Sequence, residues 1–136
     1  MFFFLRENEK NKDIVINMKK KDISSYKASR SAYKAALNAY NTVLKRIVNV
    51  RRDLSQEEES RDMRRVEYFL SIHRGESEAS VSDALKAYLH AINRVDVIEE
   101  GLQVLYLELY RKRRELQSAE QEYVRMRNLL GLFFLF

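Results

Sequence analysis

The fold is decided by residues 81–130, VSDALKAYLHAINRVDVIEEGLQVLYLELYRKRRELQSAEQEYVRMRNLL. Val81, Tyr88, Val95, Leu102, Leu109, Leu116, Tyr123 and Leu130 stand seven apart. Three residues after them come Ala84, Ala91, Ile98, Leu105, Lys112, Ala119 and Met126, of which only Lys112 is not apolar. Such a repeat stays on one helix face only if the helix winds left-handedly about a partner. The stretch is therefore predicted as one long coiled-coil helix, with the Lys112 stem snorkelling past the seam.

The partner helix lies upstream. Tyr26, Tyr33, Tyr40, Ile47 and Leu54 also recur every seven, with Ser29, Ala36, Val43 and Val50 as companions. Ser29 makes this seam weakest at its start. Residues 55–62 are polar, and Ser55 with Glu58 matches a capping box, so the segment reads either as a break starting a new helix or as a solvated stretch of one long helix. Apolar residues resume at Met63, Val66, Phe69, Leu70 and Ile72. Between the two patterns, residues 73–80 (HRGESEAS) hold the turn signals: Gly75 suits the position just after a helix end, and Ser80 or Ser82 suits an N-cap.

A short connection makes neighbouring helices antiparallel. The predicted fold class is all-α: an elongated antiparallel two-helix coiled-coil hairpin, with a kink or break near 55–62 left open. Residues 1–22 read as a polar, loosely ordered segment with an apolar start, loose or weakly helical over 6–22, after which Asp22 or Ser24 offers an N-cap. The first long helix is set at 23–74, the turn at 75–80, the second helix at 81–131 and an apolar tail at 132–136. Facing residues then have numbers summing to about 151–156, which brings Arg51 and Arg52 near Glu99 and Glu100.

Composition limits the alternatives. The chain has 136 residues, no Cys, no Pro, no Trp and three Gly. The missing Cys excludes a disulfide scaffold and any thiolate metal site. The shortage of turn residues excludes a many-stranded β protein. The net charge of +5 is uneven: residues 1–68 hold 16 Lys/Arg against 10 Asp/Glu, and residues 69–136 hold 9 against 10.

Chemistry-bearing motifs are lacking. His73 and His90 have no helical metal-ligand spacing. There is no Gly-rich phosphate loop, no nucleophile elbow and no carboxylate pair set for acid–base work. The expectation is a non-enzyme with no catalytic residue, cofactor, metal or small-molecule substrate, acting as a structural, assembly or protein-interaction module. Protein partners, either a second copy or another helix, come first. A second small-residue face at Ala28, Ala32, Ala35 and Ala39 supports close lateral packing.

Two further partners are carried as alternatives. Phe2, Phe3, Phe4, Phe133, Phe134 and Phe136 would meet in one apolar pole, which beside Lys19–Lys21 has the apolar-plus-basic character of a membrane-surface anchor. The run Arg111-Lys112-Arg113-Arg114 raises nucleic acid, without the interleaved aromatics of a single-strand binder. No segment reaches the ~20 apolar residues of a membrane-spanning helix, and the N-terminus lacks the basic start of a secretory signal.

At the turn and second helix the sequence resembles the coiled-coil hairpin of TolC-type outer-membrane efflux proteins. The residues concerned are Gly75 at the tip, Asp83-Ala84-Leu85-Lys86-Ala87 opening the return helix, the long heptad run, and Leu129-Leu130-Gly131-Leu132 at its close. The gap from Gly75 to Asp83 is longer than is usual in that family, and its membrane strands and second repeat are missing. The resemblance, over about residues 70–132, implies hairpins packed side by side into a periplasmic α-barrel. Arg74, Gly75, Asp83 and Leu85 would then form a tip that meets an adaptor protein. The implied location is periplasmic or outer-membrane associated; a complete chain without that relationship would be expected in the cytoplasm.

Overall fold

A computed structural model describes the backbone of residues 2–135 and the side chains of residues 20–131. Two helices account for it, α1 (Phe2–His73) and α2 (Glu78–Leu135), which pack against each other as a helical hairpin. α1 starts at Phe2, so residues 6–22 are helical rather than loose, and neither Asp22 nor Ser24 caps a helix start. The physical reason is composition: this segment has no Gly or Pro to stop a helix, and its Lys, Glu and Arg are good helix formers. α1 also runs unbroken through 55–62. Gln56, Glu57, Glu58, Glu59 and Arg61 favour helix strongly enough to carry the polar stretch, and the Ser55–Glu58 pattern caps nothing.

The turn is tighter than the sequence reading placed it. Gly75 has φ of 63°. Its N–H donates to the Ile72 carbonyl at 3.1 Å, and the Glu76 N–H donates to the Ser71 carbonyl at 3.1 Å. These two bonds are the Schellman closure, which satisfies carbonyls that the helix end would leave without partners. The N-cap of α2 is Ser77, not Ser80 or Ser82: the Ser80 N–H donates to Ser77 Oγ at 3.2 Å. Glu78 follows in the first turn, where a carboxylate suits the positive end of the helix dipole.

The packing divides into two compact units. In the unit of residues 41–110, Val43, Ile47, Leu102 and Leu105 are buried together, with Val50, Leu54 and Leu109 packed against them. Ala91 and Val95 continue the buried row on α2. Arg94 meets Glu57 at 2.6 Å and Arg46 meets Glu108 at 3.9 Å across the helices. Among the described residues, no ion pair joins Arg51 or Arg52 to Glu99 or Glu100; all four side chains are exposed, on the outward side of their helices. Exposed pairs contribute only ~0.2–1 kcal/mol each, so they select register more than they stabilise.

In the unit of residues 1–40 and 111–136 the seam is aromatic. The Tyr123 ring stacks on Tyr26 at 5.6 Å and on Tyr33 at 5.4 Å, and Met126 is buried. Lys112 is half-buried, and its ammonium reaches Glu115 at 3.3 Å.

Gly75 sits in the left-handed region, which costs an L-residue with a side chain roughly 1–2 kcal/mol. Gly75→Ala is therefore expected to lower the urea midpoint by an amount equivalent to about 1 kcal/mol. An unchanged midpoint would mean the turn does not hold this conformation.

Candidate functional site

The thirteen residues Tyr26, Tyr33, Tyr40, Ile47, Leu54, Val81, Tyr88, Val95, Leu102, Leu109, Leu116, Tyr123 and Leu130 are all buried or half-buried between the helices. They build the scaffold, and what they leave uncovered is the candidate site. Among the described residues, two polar seam residues are buried. Ser29 and Ser71 are buried, and each hydroxyl donates to the carbonyl three residues earlier, Tyr26 at 2.8 Å and Tyr68 at 2.7 Å. Each lies beside a ring pair, Tyr26–Tyr123 and Tyr68–Tyr88. Each hydroxyl proton is thus used within its own helix, and neither buried oxygen is left without a partner.

Extending the first heptad row of α1 beyond Leu54 gives Arg61 and Tyr68, and its companions become Glu57, Arg64 and Ser71. The apolar residues Met63, Val66, Phe69, Leu70 and Ile72 are out of phase with that seam. All five are exposed, from 39% for Leu70 to 64% for Met63. The sequence shows only that apolar residues resume here, and the structure places them on the outside. Met63, Val66, Phe69 and Leu70 form an outward row, and Val66, Phe69 and Leu70 border a shallow groove with Asp62, Arg65 and His73. The Arg65 guanidinium lies 5.8 Å from the centre of the Phe69 ring.

α2 has its own outward row. Val97 and Val104 are 58% and 64% exposed. With Gly101 between them they border a groove of about 500 Å³ whose far side is Arg46, Val50 and Asp53 of α1. A Cβ built on Gly101 would meet nothing within 4 Å, so the hairpin itself gives no reason for glycine there. Glycine in a helix interior costs about 1 kcal/mol relative to alanine. Leu107 on the outer side of the same helix is 72% exposed.

The other sequence-predicted features are placed as follows. Arg74 and Gly75 lie in the turn, whereas Asp83 (exposed) and Leu85 (half-buried) belong to the start of α2. Ala28, Ala32 and Ala35 are exposed and Ala39 is half-buried; Ala32 borders a shallow groove with Ser118, Ala119 and Glu122. The side chains of Phe2, Phe3, Phe4, Phe133, Phe134 and Phe136, and that of Lys19, lie outside the described residues. Among the described residues no group of three or more His, Asp or Glu is placed to hold a metal, and no helix is long and apolar enough to cross a membrane.

Electrostatics single out the tyrosine stack. The hydroxyls of Tyr26 and Tyr123 are 3.4 Å apart, and this hydrogen bond, ahead of desolvation, raises the Tyr26 phenol above its ordinary value. A raised phenol is neutral in the fold, so its stabilising contribution is present below the ordinary tyrosine range and is lost as pH rises through the shifted value. On the outer face, the bond from Arg125 holds the Glu122 carboxyl below its ordinary range.

Compared with protein-family models, curated proteins and solved structures, the chain matches none of them. The reading of the site therefore rests on its own residues.

Two outcomes check this assignment. In an absorbance titration, Tyr123→Phe is expected to move the Tyr26 ionisation midpoint down, towards the ordinary tyrosine value; no movement would contradict the hydroxyl pair. Leu102→Ala is expected to cost about 2–5 kcal/mol of unfolding free energy, as for other buried leucines. Leu107→Ala should stay within about 0.5 kcal/mol of the parent.

Proposed function

We propose that this chain is a non-enzymatic helical interaction and assembly module, which docks protein through apolar faces that its own hairpin leaves uncovered. The observation that carries the reading is the exposure of Met63, Val66, Phe69 and Leu70 on α1 and of Val97 and Val104 on α2. Single exposed hydrophobic residues are ordinary, but contiguous rows mark interaction surfaces. Here Met63 with Leu70, and Val97 with Val104, repeat the seven-residue spacing of the buried seam. That spacing is what a further helix needs for knobs-into-holes packing. Gly101 supports the reading, because its missing side chain lets a neighbouring backbone approach between the two valines.

Burying a valine or leucine side chain contributes ~1.5–3 kcal/mol, so four to six such residues are enough to drive association once the cost of ordering two molecules is met. Side-by-side packing of hairpins, as the TolC-type resemblance implies, is one arrangement such faces would serve.

A photo-crosslinking residue at Val104 or Leu70, in cells that make the chain, is expected to give discrete protein adducts. The same residue at Lys86, an exposed polar position, is expected to give none. Absence of adducts at both apolar positions would refute a docking function.

A further inference from the structure

We infer that one flank of the hairpin, in the unit of residues 1–40 and 111–136, binds the phosphate backbone of duplex nucleic acid. This goes beyond the docking of protein proposed above, whose apolar rows lie in residues 41–110. Counting from the seam sorts the charges of this unit by flank. Lys27 and Lys34 stand one place after Tyr26 and Tyr33, and Lys20 stands seven before Lys27. Arg30 stands four places after Tyr26. On α2, Arg113, Glu120 and Arg127 stand four places after Leu109, Leu116 and Tyr123. In an antiparallel pair, these positions of both helices border the same side of the seam. All seven side chains are exposed.

The Tyr26 hydroxyl confirms that the two helices share this flank. The hydrogen bond with Tyr123 raises the Tyr26 phenol, and the charges of Arg30 on α1 and Arg127 on α2 both pull against that rise, so both stand near the hydroxyl. The Arg127 guanidinium also lies 5.9 Å from the centre of the Tyr123 ring. The opposite flank differs. Its Glu115 and Glu122 border a groove with Ala32 and Ser118. Each of these carboxylates is paired, with Lys112 at 3.3 Å and with Arg125 at 2.7 Å. On the first flank Glu120 is the one carboxylate among the described residues, against six cations. Among the described residues, none of the six makes an ion pair. Their charge is left for a partner from outside.

Three features select that partner. The cations form a ladder rather than converging on a point: the lysines are seven residues apart, ~10 Å at 1.5 Å per residue, and Arg113 and Arg127 are ~21 Å apart. A ladder suits a line of negative charge, and a duplex carries one phosphate charge per ~1.7 Å of axis. No large hydrophobic residue is exposed among the described residues of this unit, so a membrane surface finds no apolar anchor beside these cations. Tyr26, Tyr33, Tyr40 and Tyr123 are half-buried in the seam, which leaves them unavailable for stacking on the splayed bases of a single strand. Contacts to phosphate alone carry no sequence information, so binding is indifferent to sequence.

The test is fluorescence anisotropy of a short labelled duplex of mixed sequence, titrated with the full chain from ~50 to ~200 mM salt. Engaging four to six of these cations gives a slope of log affinity on log salt of roughly −4 to −5. The combined variant Lys27→Gln, Arg30→Gln, Arg113→Gln should weaken binding at least tenfold and make the slope shallower by about three. The charge-matched variant Lys21→Gln, Arg111→Gln, Arg125→Gln removes three cations from the opposite flank and should leave the slope unchanged. Circular dichroism checks that both variants keep the parent helicity, as substitutions at exposed positions should. No binding at low salt, equal weakening by the two variants, or binding to phosphatidylserine vesicles without binding to the duplex would overturn the inference.

Discussion

Everything in this molecule depends on one constraint: an apolar row repeating every seven residues must find a partner row along its length. α2 meets it from Val81 to Leu130 with a single polar interruption at Lys112. A chain of 136 residues with no disulfide has few other ways to bury apolar area. The turn follows from the same constraint, because α1 must end where the chain can double back. Gly75 and Ser77 provide that reversal by closing one helix and opening the next.

The seam also explains why polar residues occur inside it. Where two tyrosines stack across the helices, the neighbouring seam position is a serine whose hydroxyl bonds to its own helix. Bulky aromatics and small residues alternate, as interdigitated packing requires. The hairpin is consequently satisfied at its centre. Its unfinished business is on the outside, where Met63, Phe69, Val97, Val104 and Leu107 remain in water. A two-helix hairpin buries one stripe per helix and has no third layer to cover a second stripe.

The periodic part of this structure was legible in the sequence. The seam residues, the antiparallel pairing and the role of Gly75 follow from spacing and turn chemistry alone. Other features were read in part or not at all. The helix through 6–22 was read only as loose or weakly helical, because a polar segment without apolar period gives no seam to follow, although its residues favour helix. The continuity at 55–62 was one of two open readings, because a local capping pattern competes there with helix propensity. The outward direction of the row at 63–72 was not read, because apolar content was followed there instead of phase. Counting sevens from Leu54 to Arg61 and Tyr68 assigns those apolar residues to the outer face. Val97, Gly101 and Val104 escaped notice for a related reason: beside so regular a seam, an additional apolar pair reads as noise until its exposure is known.

The apolar residues of α1 and α2 that the seam does not cover are exposed on the hairpin. The most direct measurement of this division is the melting temperature, by the loss of helical circular dichroism, of two variants altered two residues apart, Leu102→Lys and Val104→Lys. Leu102 is buried in the seam and Val104 is on the exposed row. A melting temperature that falls steeply for Leu102→Lys and stays near the parent's for Val104→Lys is the result the seam predicts. Equal falls in the two variants would contradict it.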